Sequence, residues 1–391
     1  MFSAVSANLT LFSQARRRFS AKRLHLWLGL SLGMLLLVLG LSGAALVFYV
    51  EIDQQLHPLD MHSTTHTAQD YQQALMTLRR QYPDKNGPWR IEVTDEGGAI
   101  PARYYNPAET QGQGFAPMLI WLSADGSKIL RRDYWGDTLV TWLYNLHYQL
   151  LLGKTGALIV GYAGIACLTL LISGLVIWWP RKGRIKKALG VSLTGPALRR
   201  LYDWHKLTGV ISSIPLLLLC LTGAMLALPG PTDALLAPVL GQPISPRSAK
   251  ITDQDDAARA SITTDARPHL SLVTLLERVK SQYPNAQLAW IETPPVSGGE
   301  YRLRVQLPGD PSRRFPHSYL YIDSDTGHIG APFLVAKQGP ANTLKNWLHP
   351  LHDGSIGGSF LRTIWVYIGL CPLILFTFGL WRWQLRRLRY R

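Results

Sequence analysis

Four apolar runs, at roughly 24–50, 155–179, 207–228 and 361–381, limit what this chain can become. Each approaches the ~20 residues that a helix needs to cross a hydrocarbon core of ~30 Å. None carries an acidic residue beyond its first turn. In lipid every backbone polar group needs an internal partner, and continuous runs of this length satisfy that only as helices. The first run follows Arg16-Arg17-Arg18 and Lys22-Arg23, as the core of a signal peptide would. It is too long for that, and apolar chain continues beyond Ser42, Gly43, Ala44 and Ala45, so it reads as an uncleaved span.

The formal charge of +15 raises the question of nucleic-acid binding, and its distribution answers it. Of the forty Lys and Arg, five lie in 16–23, eight in 181–206 and five in 382–391. A four-span reading places all of these at one side of the bilayer, where loops rich in Lys and Arg stay in the cytoplasm. Both termini are therefore expected in the cytoplasm, and no nucleic acid is called for. Trp27, Trp178, Trp179, Trp381 and Trp383 fall near the same ends, as an interfacial aromatic belt does. Cys167, Cys220 and Cys371 all fall inside expected spans, where buried small hydrophobes explain them. They give no metal-cluster spacing, so the eleven histidines are the main candidate ligands.

The chain plays one pattern twice. His25, Gly29, Ser42 and Gly43 recur as His205, Gly209, Thr222 and Gly223, each displaced by 180 residues. Around this pattern the chain divides into a basic lead-in (1–23), a span (24–50), an outside module (51–140), an interfacial helix (141–154) and a second span (155–179). A basic loop (180–204), a third span (205–228), a second outside module (229–341), an interfacial segment (342–360), a fourth span (361–381) and a basic tail (382–391) complete it. Pro215 inside the third span predicts a local kink. Amphipathic spacing predicts a helix over 70–81, ended by Gln81-Tyr82-Pro83, and another from Leu272, ended by Gln282-Tyr283-Pro284. Strands are expected at 91–93, 118–122, 287–291, 301–305 and 318–322. The expected fold is thus a four-helix transmembrane bundle with an internal pseudo-twofold repeat and two small α+β modules outside it.

Repeat equivalence pairs His25 with His205 at the inner mouths of the first and third spans. It pairs His147 with His349 or His352 at the outer mouths of the second and fourth. Imidazoles from opposing helices supply both axial ligands of a non-covalent b-type haem, with glycines such as Gly29 and Gly209 leaving room for the flat ring. Two such haems would serve the two membrane faces. Covalent attachment is excluded because no Cys-x-x-Cys-His occurs. Zinc would want three or four converging ligands, and only Asp203 lies near the inner pair. Proton-relay and snorkelling histidines are the remaining alternatives. His349 matches His147 by register, while His352 lies nearer the membrane, and the spacing leaves both in play. The glycine stripe Gly29, Gly33, Gly40 and Gly43 reads either as close helix packing or as room for a flat cofactor. His57, His62 and His66 read either as linker histidines or as a peripheral metal or substrate contact.

The pattern Leu24-His25, Gly29, Ser42-Gly43 with its second copy, and Leu351-His352-Asp353-Gly354 with Gly357-Gly358, resembles the PepSY-associated transmembrane helix family. Both outside modules resemble PepSY domains, and the resemblance covers about 20–385. Within the family the chain is similar to inner-membrane siderophore-iron reductases of Gram-negative bacteria, of the FoxB kind. That resemblance implies two bis-histidine haem b groups, on His25 and His205 and on His147 with His352 or His349. It implies reduction of a ferric siderophore in the periplasm with release of ferrous iron, which hard oxygen ligands hold less well. The electron donor would be a quinol or a separate flavoprotein, because the 181–204 loop has no room for a flavin domain. Arg131, Arg132, Arg302, Arg304, Arg313 and Arg314 would either attract the chelate or solvate the modules. Tyr134, Trp135, Tyr144 and Trp347 would either line a docking surface or pack at the interface. The rival expectation is a membrane-anchored module that binds an extracytoplasmic peptidase or cell-envelope partner.

Overall fold

The computed structural model describes residues 2–59, 65–95, 97–246 and 270–389. They form two units, one from 1–49, 143–229 and 351–391, the other from 50–142 and 230–350.

The first unit is built on α1 (Phe2–Leu46), α5 (Gly153–Trp178), α7 (Ala197–Ala227) and α11 (Gly358–Arg389). Their segments Ser20–Leu46, Gly153–Trp178, Ala197–Ala227 and, with the turn before α11, Ser355–Leu388 are long and apolar enough to cross a membrane. α1 and α7 each pack on both α5 and α11, so the four close into a ring with α1 and α7 on one diagonal. Small residues let the backbones approach. A Cβ at Gly40 would lie 2.6 Å from the Gly369 carbonyl oxygen, and one at Gly33 would overlap Phe376. Packing therefore accounts for these two members of the glycine stripe. Much of the apolar span surface stays open: Ile214 is 77 % and Phe360 79 % exposed. Such a surface is stable only where lipid is the solvent, and the chain is a membrane protein.

Two details depart from the expected spans. The first helix ends at Leu46 rather than 50, and α2 (Tyr49–Leu56) starts after a turn. Arg362 of α11 caps that end by donating to the Val47 carbonyl from Nε (3.1 Å) and Nη2 (2.6 Å). A cation there also suits the negative end of the helix dipole. Nor does the helix expected over 141–154 run on into the second span. α4 (Leu139–Gln149) stops, and Leu150 and Leu151 take left-handed φ values of 49° and 60° before α5 begins. Leucines carry no turn signal, so the apolar run hides the break. α10 (Pro340–Asp353) makes the matching break at Gly354 (φ 79°) and Gly358 (φ 58°). Between α5 and α7 only the short α6 (Ile185–Leu189) is formed, and α7 continues through Pro215.

The second unit is a single seven-stranded antiparallel sheet in the order β4-β3-β2-β1-β5-β6-β7. The strands are β1 (Trp89–Glu92), β2 (Ile100–Tyr104), β3 (Met118–Leu122), β4 (Ile129–Tyr134), β5 (Gln287–Glu292), β6 (Glu300–Gln306) and β7 (Ser318–Asp323). Where two modules were expected, β1 pairs with β5, with Ile91 opposite Ile291 and both fully buried. The reason is an edge left over in each half. A four-strand and a three-strand piece each present unpaired N–H and C=O groups, and joining removes both edges. α3 (Ala68–Gln81) and α9 (Leu272–Gln282) lie together on one face. Tyr71, Ala74, Leu75, Leu78, Leu272, Leu275 and Val279 meet the sheet there in one core. Thr67 and Asp70 close a capping box at the start of α3, and Tyr82 and Tyr283 end the two helices before proline. β2 and β4 were not expected: Pro101 interrupts one, and the other carries Arg131-Arg132-Asp133 at an edge, where polar residues are tolerated. α8 (Pro229–Leu240) follows the third span, and Asp233 on it pairs with Lys345 of α10 at 2.7 Å.

Candidate functional site: two histidine pairs in the helical unit

His25 on α1 and His205 on α7 meet across the diagonal of the bundle, with ring centroids 6.1 Å apart. His147 on α4 and His352 on α10 meet at 6.2 Å. Along α1, His25 and Gly43, which seats His147, are separated by 18 residues, or about 27 Å of helix. The pairs therefore lie near opposite ends of the spanning segments.

Each ring is held by its Nδ1 on a neighbouring helix. His25 Nδ1 contacts the Leu170 carbonyl and Ser173 Oγ, both at 3.1 Å, on α5. His147 Nδ1 contacts the Leu39 carbonyl and Ser42 Oγ, both at 3.1 Å, on α1. His205 Nδ1 donates to the Leu375 carbonyl (2.9 Å) on α11, and His352 Nδ1 contacts Thr222 Oγ1 (2.9 Å) on α7. A carbonyl only accepts, so Nδ1 of His25, His147 and His205 carries the proton and Nε2 keeps its lone pair. Thr222 Oγ1 donates its own proton to the Leu218 carbonyl (2.8 Å) and so accepts from His352 Nδ1. Burial drives the His147 imidazole down to about 4, which keeps it neutral.

A glycine lies under each ring. A Cβ would stand 2.8 Å from His147 Cε1 at Gly43, 2.9 Å from His352 Cε1 at Gly223, 3.0 Å from His25 Cε1 at Gly174, and 3.3 Å from His205 Cε1 at Gly379. The Ser42-Gly43, Thr222-Gly223 and Ser173-Gly174 dipeptides are thus seats for histidine, with the hydroxyl on Nδ1 and the bare Cα against Cε1. Gly29 and Gly209 differ. A Cβ there would make only ordinary contacts, 3.9 Å from Leu170 and 3.5 Å from Leu375. Helix packing does not require glycine at either place.

The donor set fits a haem iron. Two N–metal bonds of about 2 Å set end to end, plus two imidazole radii of about 1 Å, span roughly 6 Å, which is the separation of both pairs. Metal-bound histidines characteristically give their other ring N–H to a carbonyl or carboxylate. Among the described residues no three His, Cys, Asp or Glu side chains converge, so each pair would supply two ligands to a haem rather than a polyhedral cage. Asp203 does not join the inner pair; it accepts from Lys206 Nζ (3.0 Å) and the Ser192 backbone (3.1 Å).

A family model described as the PepSY-associated TM region matches residues 22–386. The chain belongs to this family. The match contains both histidine pairs and all four glycine seats. No curated protein matches the chain.

The other expected residues are placed elsewhere. His349 packs its ring 5.7 Å from Phe315 in the sheet unit, and it is His352 that faces His147. Arg131 pairs with Asp53 and Asp133, Arg302 with Glu292, Arg313 with Asp95 and Arg314 with Glu92. Arg304 donates to Tyr319 Oη, and Arg132 is exposed. Five of the six guanidiniums are therefore engaged within the sheet unit. Trp135 packs on Phe115 and Tyr144 on Tyr49. His57 pairs with Asp53 and His66 Nδ1 donates to the Ala124 carbonyl, while His62 lies outside the described residues. Sequence reasoning missed Gly174 and Gly379 as seats. Ser173-Gly174 repeats the hydroxyl–glycine dipeptide and was within reach; Gly379, behind Phe378, carries no such mark.

Proposed function

We propose that the chain is a di-haem b reductase of the Gram-negative inner membrane, delivering electrons to a ferric siderophore on the periplasmic side. The observation that carries this reading is the pairing of four histidines at 6.1 and 6.2 Å, each with Nδ1 engaged on an adjoining helix. Haem iron, when bound, alternates between ferric and ferrous states and so supplies one-electron chemistry at each membrane face. The chain's own part is orientation. The seats on α1, α5, α7 and α11 hold four imidazoles by Nδ1, which leaves Nε2 free to bind a metal. The 180-residue correspondence supports an internal pseudo-twofold repeat, with PepSY-like halves merged in one sheet. The basic ends of the spans support cytoplasmic termini. Siderophore iron is the substrate, loosened on reduction because Fe²⁺ suits hard oxygen donors less well, and a quinol or a separate flavoprotein is the donor.

The test is the visible spectrum of the detergent-purified chain, oxidised and dithionite-reduced, with haem quantified as pyridine haemochrome. We expect a sharp reduced α band and about two haems per chain. His25→Ala or His205→Ala should each remove one haem, His147→Ala or His352→Ala the other, and His349→Ala neither. A haem-free chain from haem-replete cells would sink the reading and favour an anchored binding module.

A further inference from the structure

Two hydrogen-bond donors at the inner end of the bundle are buried without partners: Arg382 Nε on α11 and Trp178 Nε1 on α5. Each follows a seat of the inner pair by one turn. Arg382 is three residues beyond Gly379, which seats His205, and Trp178 is four beyond Gly174, which seats His25. Residues three and four apart share a helix face, so both donors lie on the faces of α5 and α11 against which the inner histidines are seated, about 5 Å further along the axis. The Arg382 guanidinium rests over the Tyr202 ring at 4.8 Å. Among the described residues no carboxylate pairs with it, whereas its neighbour Lys206 is satisfied by Asp203 and the Gly190 carbonyl. An indole N–H and a guanidinium can only donate. Arg382 is half-buried and its Nε is closed to solvent, so an acceptor for that donor has to come from a bound group, and an anionic one matches the charge.

We propose that Arg382 and Trp178 bind the carboxylate edge of the group that His25 and His205 hold. This rests on the haem reading of the same site. A b-type haem carries two propionates on one edge, so the inner haem sits with that edge toward the basic end of the bundle. Arg382 neutralises the carboxylates and is a positioning residue, since it does not touch the iron.

The test is a redox titration of the full-length protein in phosphatidylcholine nanodiscs, with resonance Raman of the propionate bending modes. The inner haem is identified as the one that His25→Ala removes. Arg382→Gln should lower its midpoint potential, because an uncompensated carboxylate favours the ferric state, and should shift its propionate mode. The outer haem should stay unchanged. Arg382→Lys should restore most of the potential, and Trp178→Phe should shift the mode alone. Two haems with potentials and modes untouched by Arg382→Gln would overturn the inference and leave the haem reading standing; a haem-free wild type would sink that reading first. The phosphate of an anionic lipid offers the same chemistry. If the shifts appear only after phosphatidylglycerol is added, the occupant is lipid and the inference fails. Should Arg382→Gln not accumulate, an unaltered propionate mode in Trp178→Phe overturns it equally.

Discussion

A methyl group added at Gly43 would stand 2.8 Å from His147 Cε1, inside the closest approach of two carbons. The ring lies on a packed helix face, so it cannot retreat without giving up its contacts with Leu39 and Ser42. Gly43→Ala should therefore cost about 1–3 kcal/mol in overpacking and, on the proposed di-haem reading, deplete the haem held by His147 and His352 while leaving the other. Haem content and the thermal midpoint of the purified variant check both parts. This seat shows how much of the site was legible. The histidines stood out because hydrophobic runs rarely hold ionisable groups and because two of them recur with a fixed offset. The roles of the glycines were less legible. Gly29 and Gly43 share one stripe in the sequence, yet only the distance to a neighbour on another helix separates a ring seat from an open position. His349 and His352 show the same limit: three residues apart on α10, one faces Phe315 and the other His147.

At the scale of the element, the break between α4 and α5 decides where His147 points. Two leucines in left-handed conformation are unfavourable by roughly 1–2 kcal/mol each, and they are held in place by a close crossing just beyond. A Cβ at Gly156 would lie 1.6 Å from the Gln149 carbonyl oxygen, which is backbone and cannot move aside. Gly156→Ala should open this corner, cost at least about 2 kcal/mol, displace His147 and, on the proposed di-haem reading, lose the haem that His147 and His352 hold. Gly153→Ala is the gentler control, since a Cβ there meets nothing within 4 Å, although its φ of 59° still favours glycine. The reduced spectrum and the urea midpoint separate the two variants. The spans were legible as elements because length and hydropathy suffice to announce them. The corner was not, because an apolar run looks the same whether it continues or turns. β4 escaped notice for the opposite reason: its charged run Arg131-Arg132-Asp133 resembles a loop until β3 pairs with it.

Over the whole molecule, the seam between β1 and β5 makes one core of two halves. Ile291 is fully buried opposite Ile91, and Gln72 of α3 accepts from the Leu272 backbone at 2.6 Å to join the helices. Ile291→Ala should cost about 2–5 kcal/mol and lower the stability of strands from both halves together, in a single transition. Hydrogen exchange at Ile120 and Leu320 checks it: equal loss of protection at both marks one cooperative body, and loss at Leu320 alone marks two. The repeat announced two similar pieces, but nothing local in either piece states that they share an edge. The seam also sets an order of events during synthesis. Trp89–Glu92 leave the ribosome long before Gln287–Glu292, and residues 143–229 with their two spanning helices are made in between. Throughout that interval the nascent chain carries an open strand edge, the template on which stray chains pair. Folding of the first half cannot be completed until the third span is in place, so the last strands to be made act as the checkpoint that a finished protein has passed.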